Sequence, residues 1–488
     1  MKAPNIQYWW SRRCGGRQVL ALALPLVVST ASWTVMHFVD RMFLLWHSTQ
    51  AMAAAMPGGL LHFTLLCFPL GMATYVNTFV AQYHGAGHPE RIGLAVWQGA
   101  RIGVVAAPLF LMTIPLAPVI FSLAGHDPQV ACLETVYYQV LTFGAGGTLI
   151  AAALSTFFTG RGATRVVMVV DCLATVLNVL LDYAWIFGHW GFPALGMEGA
   201  AWATVASQWF RALLYWRIMD RPANRVKYQL VAGRRFDFPL ARRLLRYGGP
   251  NGLQMLVEVS AFTVFILLIG RLGKEAMAAT TLAFNVNSMA FLPMLGLGIA
   301  VSTMVGQQLG RNRPRLAARA TWTALLMAET YMGTMALLYV LIPDVFLLGH
   351  AWGVSPDRFI GIRDATVVLL RFVAAYCMFD AMYLVFVGAI KGAGDTRFIL
   401  AVTLIMSPPP VLAAWLGITF FGWGLLWCWV VVTAWLCTLG LIYLARFLQG
   451  RWRKMRVIEA ALLREEGLAA EPAVVTQPVE CYPISSHE

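Results

Sequence analysis

Charge is what this sequence has least of. Of 488 residues, 12% are Asp, Glu, Lys or Arg and 59% are hydrophobic, where a water-soluble domain usually carries about a quarter charged. The deficit excludes an ordinary water-soluble domain. It leaves an integral membrane protein whose polar stretches are too short for a large extramembrane catalytic domain. The eight Cys are scattered with no CxxC pair, which excludes a disulfide framework or a zinc ribbon. The nine His form no HExxH, and the Gly-Ala-Gly-Asp-Thr-Arg stretch at 392–397 lacks the Gly-Lys-Ser/Thr of a phosphate loop. That stretch reads as a tight turn with Asp395 capping the next helix. No nucleophile-base pair or metal cluster appears, so neither an enzyme nor a resident cofactor is expected. Lys2, Arg12, Arg13 and Arg17 precede an apolar run that reaches Trp46. The run is too long for a cleaved signal peptide and reads as a first helix.

Apolar runs of spanning length predict twelve helices, near 18–46, 52–83, 94–124, 130–159, 166–188, 197–219, 244–270, 276–309, 317–349, 364–390, 396–421 and 423–448. The net charge of +13 would suggest nucleic acid in a soluble protein, but here the placement of the charges matters more. Lys and Arg concentrate in alternate loops: the N-terminus, Arg91, Arg161 with Arg165, Arg217 to Arg246, Arg311 to Arg319, Lys391 with Arg397, and the tail from Arg446. The positive-inside rule then places both termini in the cytoplasm and demands an even number of spans. A plasma (inner) membrane location, with no nucleic-acid partner, is the corresponding expectation.

The two halves repeat each other at an offset of 225 residues. Pro25, Gly71, Thr78, Val80, Gln82, Gly85 and Pro89 recur as Pro250, Gly296, Thr303, Val305, Gln307, Gly310 and Pro314. With the offset slipped by seven, Gly160, Gly162, Thr164 and Arg165 recur as Gly392, Gly394, Thr396 and Arg397. Six helices per copy make this a parallel repeat about an axis along the membrane normal. The expected fold is an all-α integral membrane protein of two six-helix lobes related by pseudo-two-fold symmetry. Its parts are a cytoplasmic N-terminal segment (1–17), an N-terminal lobe (18–219), a cytoplasmic interlobe linker (220–243), a C-terminal lobe (244–448) and a largely disordered tail (449–488).

An acid near the bilayer centre costs about 2.5 to 3.5 kcal/mol on insertion scales and is functional by default. Asp40 falls in the outer part of helix 1, and Asn178 and Asp182 lie four apart on one face of helix 5. Glu258 lies mid-depth in helix 7 with Gln254 one turn below, and Asp380 lies mid-depth in helix 10 with Tyr376 one turn below. Such carboxylate pairs suit a monovalent cation, Na⁺ at Glu258 and Asp380 for instance, or a shared proton. The alternative at each position is structural: capping a kink, or pairing with Arg41 or Arg371. Spans of this length often place a charge near one end by accident, and Asp171, six residues after Arg165, reads as such a charge.

In order and spacing these residues resemble the multidrug and toxic compound extrusion (MATE) transporters over 18–448. The resemblance rests on Val39-Asp40, Val80-Ala81-Gln82 with Gly85-Ala86, Asn178 with Leu181-Asp182-Tyr183, Gly199-Ala200-Ala201 with Thr204, Pro250 through Gln254 to Glu258, Val305 through Gly310, and Gly392 through Thr396. It implies an antiporter that exports organic, often cationic, small molecules in exchange for H⁺ or Na⁺, acting as a monomer among membrane lipids. It implies a cation or proton site in the N-terminal lobe at Asp40, Asn178 and Asp182, with Thr204 and Tyr137 or Tyr138 as neighbours. A second site in the C-terminal lobe falls on Glu258, Tyr376 and Asp380, with Gln254 in support. Position 265, which the repeat pairs with Asp40, is Phe, so the lobes are not equivalent. Competition at such acids between H⁺ and a cation would couple two fluxes as the lobes rock. A lipid-linked precursor flippase of the same wider superfamily, a membrane-embedded enzyme and a channel are the other readings. The acids argue against the first, the missing motif against the second, and the lobed repeat without a pore loop against the third.

Overall fold

The computed structural model describes residues 6–123, 127–347 and 356–459. A short helix, Ile6–Ser11, precedes the long ones. These are α1 (Gly16–His47), α2 (Thr49–Gly85), α3 (Pro89–Leu111), α4 (Pro128–Thr159), α5 (Thr164–Phe187), α6 (Met197–Met219), α7 (Phe238–Gly270), α8 (Lys274–Gly310), α9 (Pro314–Leu341), α10 (Pro356–Ala393), α11 (Thr396–Met406, resumed as Pro408–Phe420) and α12 (Leu425–Leu448). Among the described residues eleven helices are long and apolar enough to cross a membrane. The twelfth, α6, is less apolar and falls short, with Gln208 and Arg211 in the middle of its run. The 460–488 part of the predicted tail lies outside the described residues.

Helix ends follow local chemistry. The Asp237 carboxylate accepts from Leu240 N at 2.9 Å, and Pro239 occupies the first turn, an N-terminal signature that starts α7 six residues before the predicted boundary at 244. The α11 run breaks at Ser407 because Pro408, Pro409 and Pro410 supply no backbone N–H to continue the ladder. The segment between the halves is no free tether. Trp97 Nε1 donates to Leu230 O at 3.1 Å and Gln98 Nε2 to Arg235 O at 3.1 Å, fastening it to α3.

The packing repeats as the sequence does. In the N-terminal half α4 is central, touching α2, α3 and α6, while α1 packs on α5; in the C-terminal half α10 touches α8, α9 and α12, while α7 packs on α11. Between the halves α1 meets α8 and α2 meets α7. These crossings are close because glycines make them: a Cβ on Gly71 would stand 2.6 Å from Gly252 Cα, and one on Gly296 would stand 2.7 Å from Val27 N. Positions 71 and 296, like 27 and 252, are related by the 225-residue repeat, so one contact is built twice.

One apolar cluster runs through both halves, carrying Tyr75, Phe79 and Tyr83 of α2 together with Val301, Val305 and Leu309 of α8. At the far ends the halves have separate clusters, one around Phe43, Leu44 and Ile186 and one around Phe265, Ile269 and Val432. The lobes are therefore joined at the end that carries the basic loops.

Candidate functional site

Cross-lobe hydrogen bonds close that basic end. Asn251 Nδ2 donates to Gly71 O at 2.6 Å, Asn77 Nδ2 to Thr303 Oγ1 at 3.0 Å and Tyr75 OH to Lys391 O at 3.1 Å. Gln82 Nε2 reaches Gly392 O at 3.0 Å and Gln307 Nε2 reaches Gly160 O at 2.8 Å. The chain's own tail lies over this seam. Val457 N donates to Gln82 Oε1 at 2.8 Å, Tyr83 OH donates to Glu459 Oε2 at 2.8 Å, and Arg243 pairs with Glu459. After α12 the chain makes a single 3₁₀ turn, Arg451–Lys454, followed by this extended strap.

The N-terminal lobe brings Asp40, Asn178 and Asp182 together, all buried. With its orientation assigned from the surrounding acceptors, the Asn178 amide donates to Asp40 Oδ1 at 3.0 Å and Asp182 Oδ2 at 3.2 Å. Asp182 Oδ1 and the Thr204 hydroxyl are buried without a hydrogen-bond partner. Of the two tyrosines, Tyr137 feels the charges of both acids. Tyr138 turns away, its OH bonded to Thr113 Oγ1 at 2.6 Å and its ring packed on Phe121. His37, one turn before Asp40, holds Nδ1 3.9 Å from Asp40 Oδ2.

In the C-terminal lobe Glu258 Oε1 accepts from Gln254 Nε2 at 2.8 Å, Tyr383 OH at 3.0 Å and Thr403 Oγ1 at 3.3 Å. Tyr383 and Thr403 escaped the sequence reading. Tyr383 lies three residues after Asp380 and so shares its face of α10, but nothing in sequence shows that α7 faces it. Tyr376 and Asp380 are both buried within each other's electrostatic reach. No hydrogen bond joins Asp380 to Glu258; Tyr383 bonds Glu258 and lies within the electrostatic reach of Asp380. Among the described residues no three of His, Cys, Asp or Glu cluster as metal ligands.

A cavity of 520 Å³ lies between the lobes, lined from the N-terminal side by Trp33, His37, Asp171 and Arg211 and from the C-terminal side by Leu295 and Lys391. Neither predicted acid cluster lines it, and His37 bridges the N-terminal cluster to it. Two sequence readings change here. Asp171 is no stray charge near a helix end: it accepts from Tyr215 OH at 2.7 Å and from Ser29 Oγ, with Arg211 Nη1 at 4.0 Å. Its signal was the spacing of Asp171, Thr175, Asn178 and Asp182, one polar stripe down α5. Lys391, read as a loop residue, belongs to α10 and to the cavity wall.

The MatE family profile matches residues 25–184 and 250–416. The probable multidrug resistance protein NorM of Brucella suis is 29% identical over 456 residues, covering 91% of this chain and 94% of its own length. The multidrug resistance protein PmpM of Pseudomonas aeruginosa is 28% identical over 394 residues, covering 80% of each chain. Among solved structures, an outward-facing multidrug resistance MATE family transporter aligns with TM-score 0.81 at 16% identity, covering 93% of this chain and 100% of that one. The eukaryotic MATE transporter AtDTX14 aligns with TM-score 0.79 at 18% identity, covering 92% and 97%. At such identities the structural likeness carries the fold alone.

Proposed function

The chain belongs to the MatE family, whose members are membrane transporters, and from that premise we propose that it is a secondary active antiporter of the plasma (inner) membrane. It exports organic compounds, drugs among them, in exchange for H⁺ or Na⁺. The two lobes are the units that move. The basic end faces the cytoplasm, and the Gln82 and Gln307 crossings hold the lobes together there.

The observation that carries this reading is the buried trio of Asp40, Asn178 and Asp182, joined by one amide and set beside an interlobe cavity through His37. Two carboxylates sharing one donor hold a proton or a monovalent cation in preference to two bare charges. Binding of either at Asp40 changes the charge facing His37 and hence the cavity wall. Glu258 and Asp380 offer a second place for the same exchange. One charge crossing about 100 mV supplies about 2.3 kcal/mol, enough to hold roughly a fifty-fold gradient of a monovalent compound.

The test is transport of fluorescent dyes into inside-out proteoliposomes under separately imposed Na⁺ and pH gradients, with Asp40→Asn, Glu258→Gln and Asp380→Asn beside wild type. Gradient-driven flux abolished by one lobe's variants identifies the coupling ion and its site. Folded protein that moves no dye under either gradient sinks the antiporter reading and returns weight to a lipid flippase.

A further inference from the structure

Fixed charge on the cavity wall is unevenly distributed. The one carboxylate there, Asp171, already accepts from Ser29 and Tyr215 and faces Arg211 Nη1 at 4.0 Å. Arg211 is 7% exposed, lies over the Trp33 ring at 5.3 Å and keeps a buried Nε without an acceptor. Lys391 has its backbone pinned, its carbonyl accepting from Tyr75 and Thr78. Its side chain lines the cavity and makes no ion pair among the described residues. Glu258, whose charge reaches it, makes no ion pair with it and accepts hydrogen bonds from Gln254, Tyr383 and Thr403. A cation kept inside a membrane-spanning segment without an acid in ion-pair contact is costly unless something else meets it. The rest of the wall mixes Ser, Thr and Asn side chains with an apolar share that includes Trp33, Leu26, Leu292 and Ile299.

We infer that Lys391, with Arg211 across the cavity, forms an anion subsite, and that the exported compound bears an acidic group on an apolar aromatic body. The acid meets the Lys391 ammonium and the unfilled Arg211 edge while the body lies against Trp33 and the aliphatic wall. This is opposite in charge to the organic cations that the family resemblance implies. It names the substrate class of the proposed transporter and rests on that reading.

Two xanthene dyes that differ in one acidic group test it: rhodamine 110, with a free carboxylate, and rhodamine 123, its methyl ester. Binding to the purified full chain is followed by fluorescence polarisation, and flux by gradient-driven uptake into proteoliposomes. Wild type is expected to bind rhodamine 110 about ten-fold more tightly than its ester, a difference of one charge-assisted contact. Lys391→Gln erases that preference by weakening rhodamine 110 alone, and Lys391→Arg keeps it. Matching size-exclusion profiles and thermal midpoints show that the variants fold. Preference for the ester, equal weakening of both dyes in Lys391→Gln, or binding of neither dye by wild type overturns the subsite. An acid preference in binding without gradient-driven flux sinks the antiporter reading and leaves the subsite standing, whereas flux confined to the ester does the reverse.

Discussion

Gln82 and Gln307 stand at equivalent places in the two halves, and each crosses the seam to the other's turn: Gln82 Nε2 to Gly392 O at 3.0 Å and Gln307 Nε2 to Gly160 O at 2.8 Å. The bonds obey the repeat at both ends, since 82 pairs with 307 and 160 with 392. The symmetry breaks only at the free oxygen, where Gln82 Oε1 also takes Val457 N at 2.8 Å.

That asymmetry predicts unequal losses. Removing a partner from a buried polar group costs about 1 to 3 kcal/mol. Gln82→Ala orphans Gly392 O and Val457 N together, whereas Gln307→Ala orphans Gly160 O alone. Thermal unfolding in detergent should show the larger drop for Gln82→Ala. Amide exchange at Val457 should accelerate in that variant and stay slow in Gln307→Ala.

Close backbone crossings predict intolerance at the paired glycines. A Cβ at Gly252 would meet Phe68 O at 2.2 Å and one at Gly71 would meet Gly252 Cα at 2.6 Å. Forced overpacking of this kind costs about 1 to 3 kcal/mol. Gly71→Ala and Gly252→Ala should each lower the thermal midpoint. Gly249→Ala, one turn away with open space around its Cβ, should leave it unchanged, and an equal drop in all three would contradict the packing described.

Asp171 and Arg211 predict a coupled pair. Breaking a buried ion pair by deleting one partner costs about 3 to 5 kcal/mol, while replacing both is often neutral. Asp171→Asn or Arg211→Gln alone should destabilise the protein, and the double variant should recover most of the loss. Additive losses would mean that the pair, at 4.0 Å, is not energetically joined.

Tyr383 and Tyr376 predict different phenotypes on one helix. Tyr383→Phe removes a donor to Glu258 at 3.0 Å, whereas Tyr376→Phe removes no hydrogen bond that Glu258 receives. Gradient-driven dye flux should fall several-fold further in Tyr383→Phe, since a hydrogen bond to a charged group contributes about 1.5 to 3 kcal/mol. Equal losses would show that the pair of acids acts through Asp380 instead.

The amino-acid sequence by itself determined the membrane class, the helix count, the repeat and the acids that lie within the spans. These are matters of composition, of span length and of residues related along one helix or by a constant offset. It was enough to bring Asn178 and Asp182 onto one face and to pair Gln82 with Gln307. Which helices face one another is a different matter, because it depends on packing between segments hundreds of residues apart. Only the tertiary structure gave Glu258 the hydroxyl of Tyr383, turned Tyr138 away from Asp182, and drew Asp171 and Lys391 from apparent helix-end and loop positions to the cavity wall. It also laid residues 451–459 across the seam, where the repeat has no counterpart to announce them. Periodicity constrains a helix face only up to its partner, and the partner is chosen by the shape and polarity of the whole bundle.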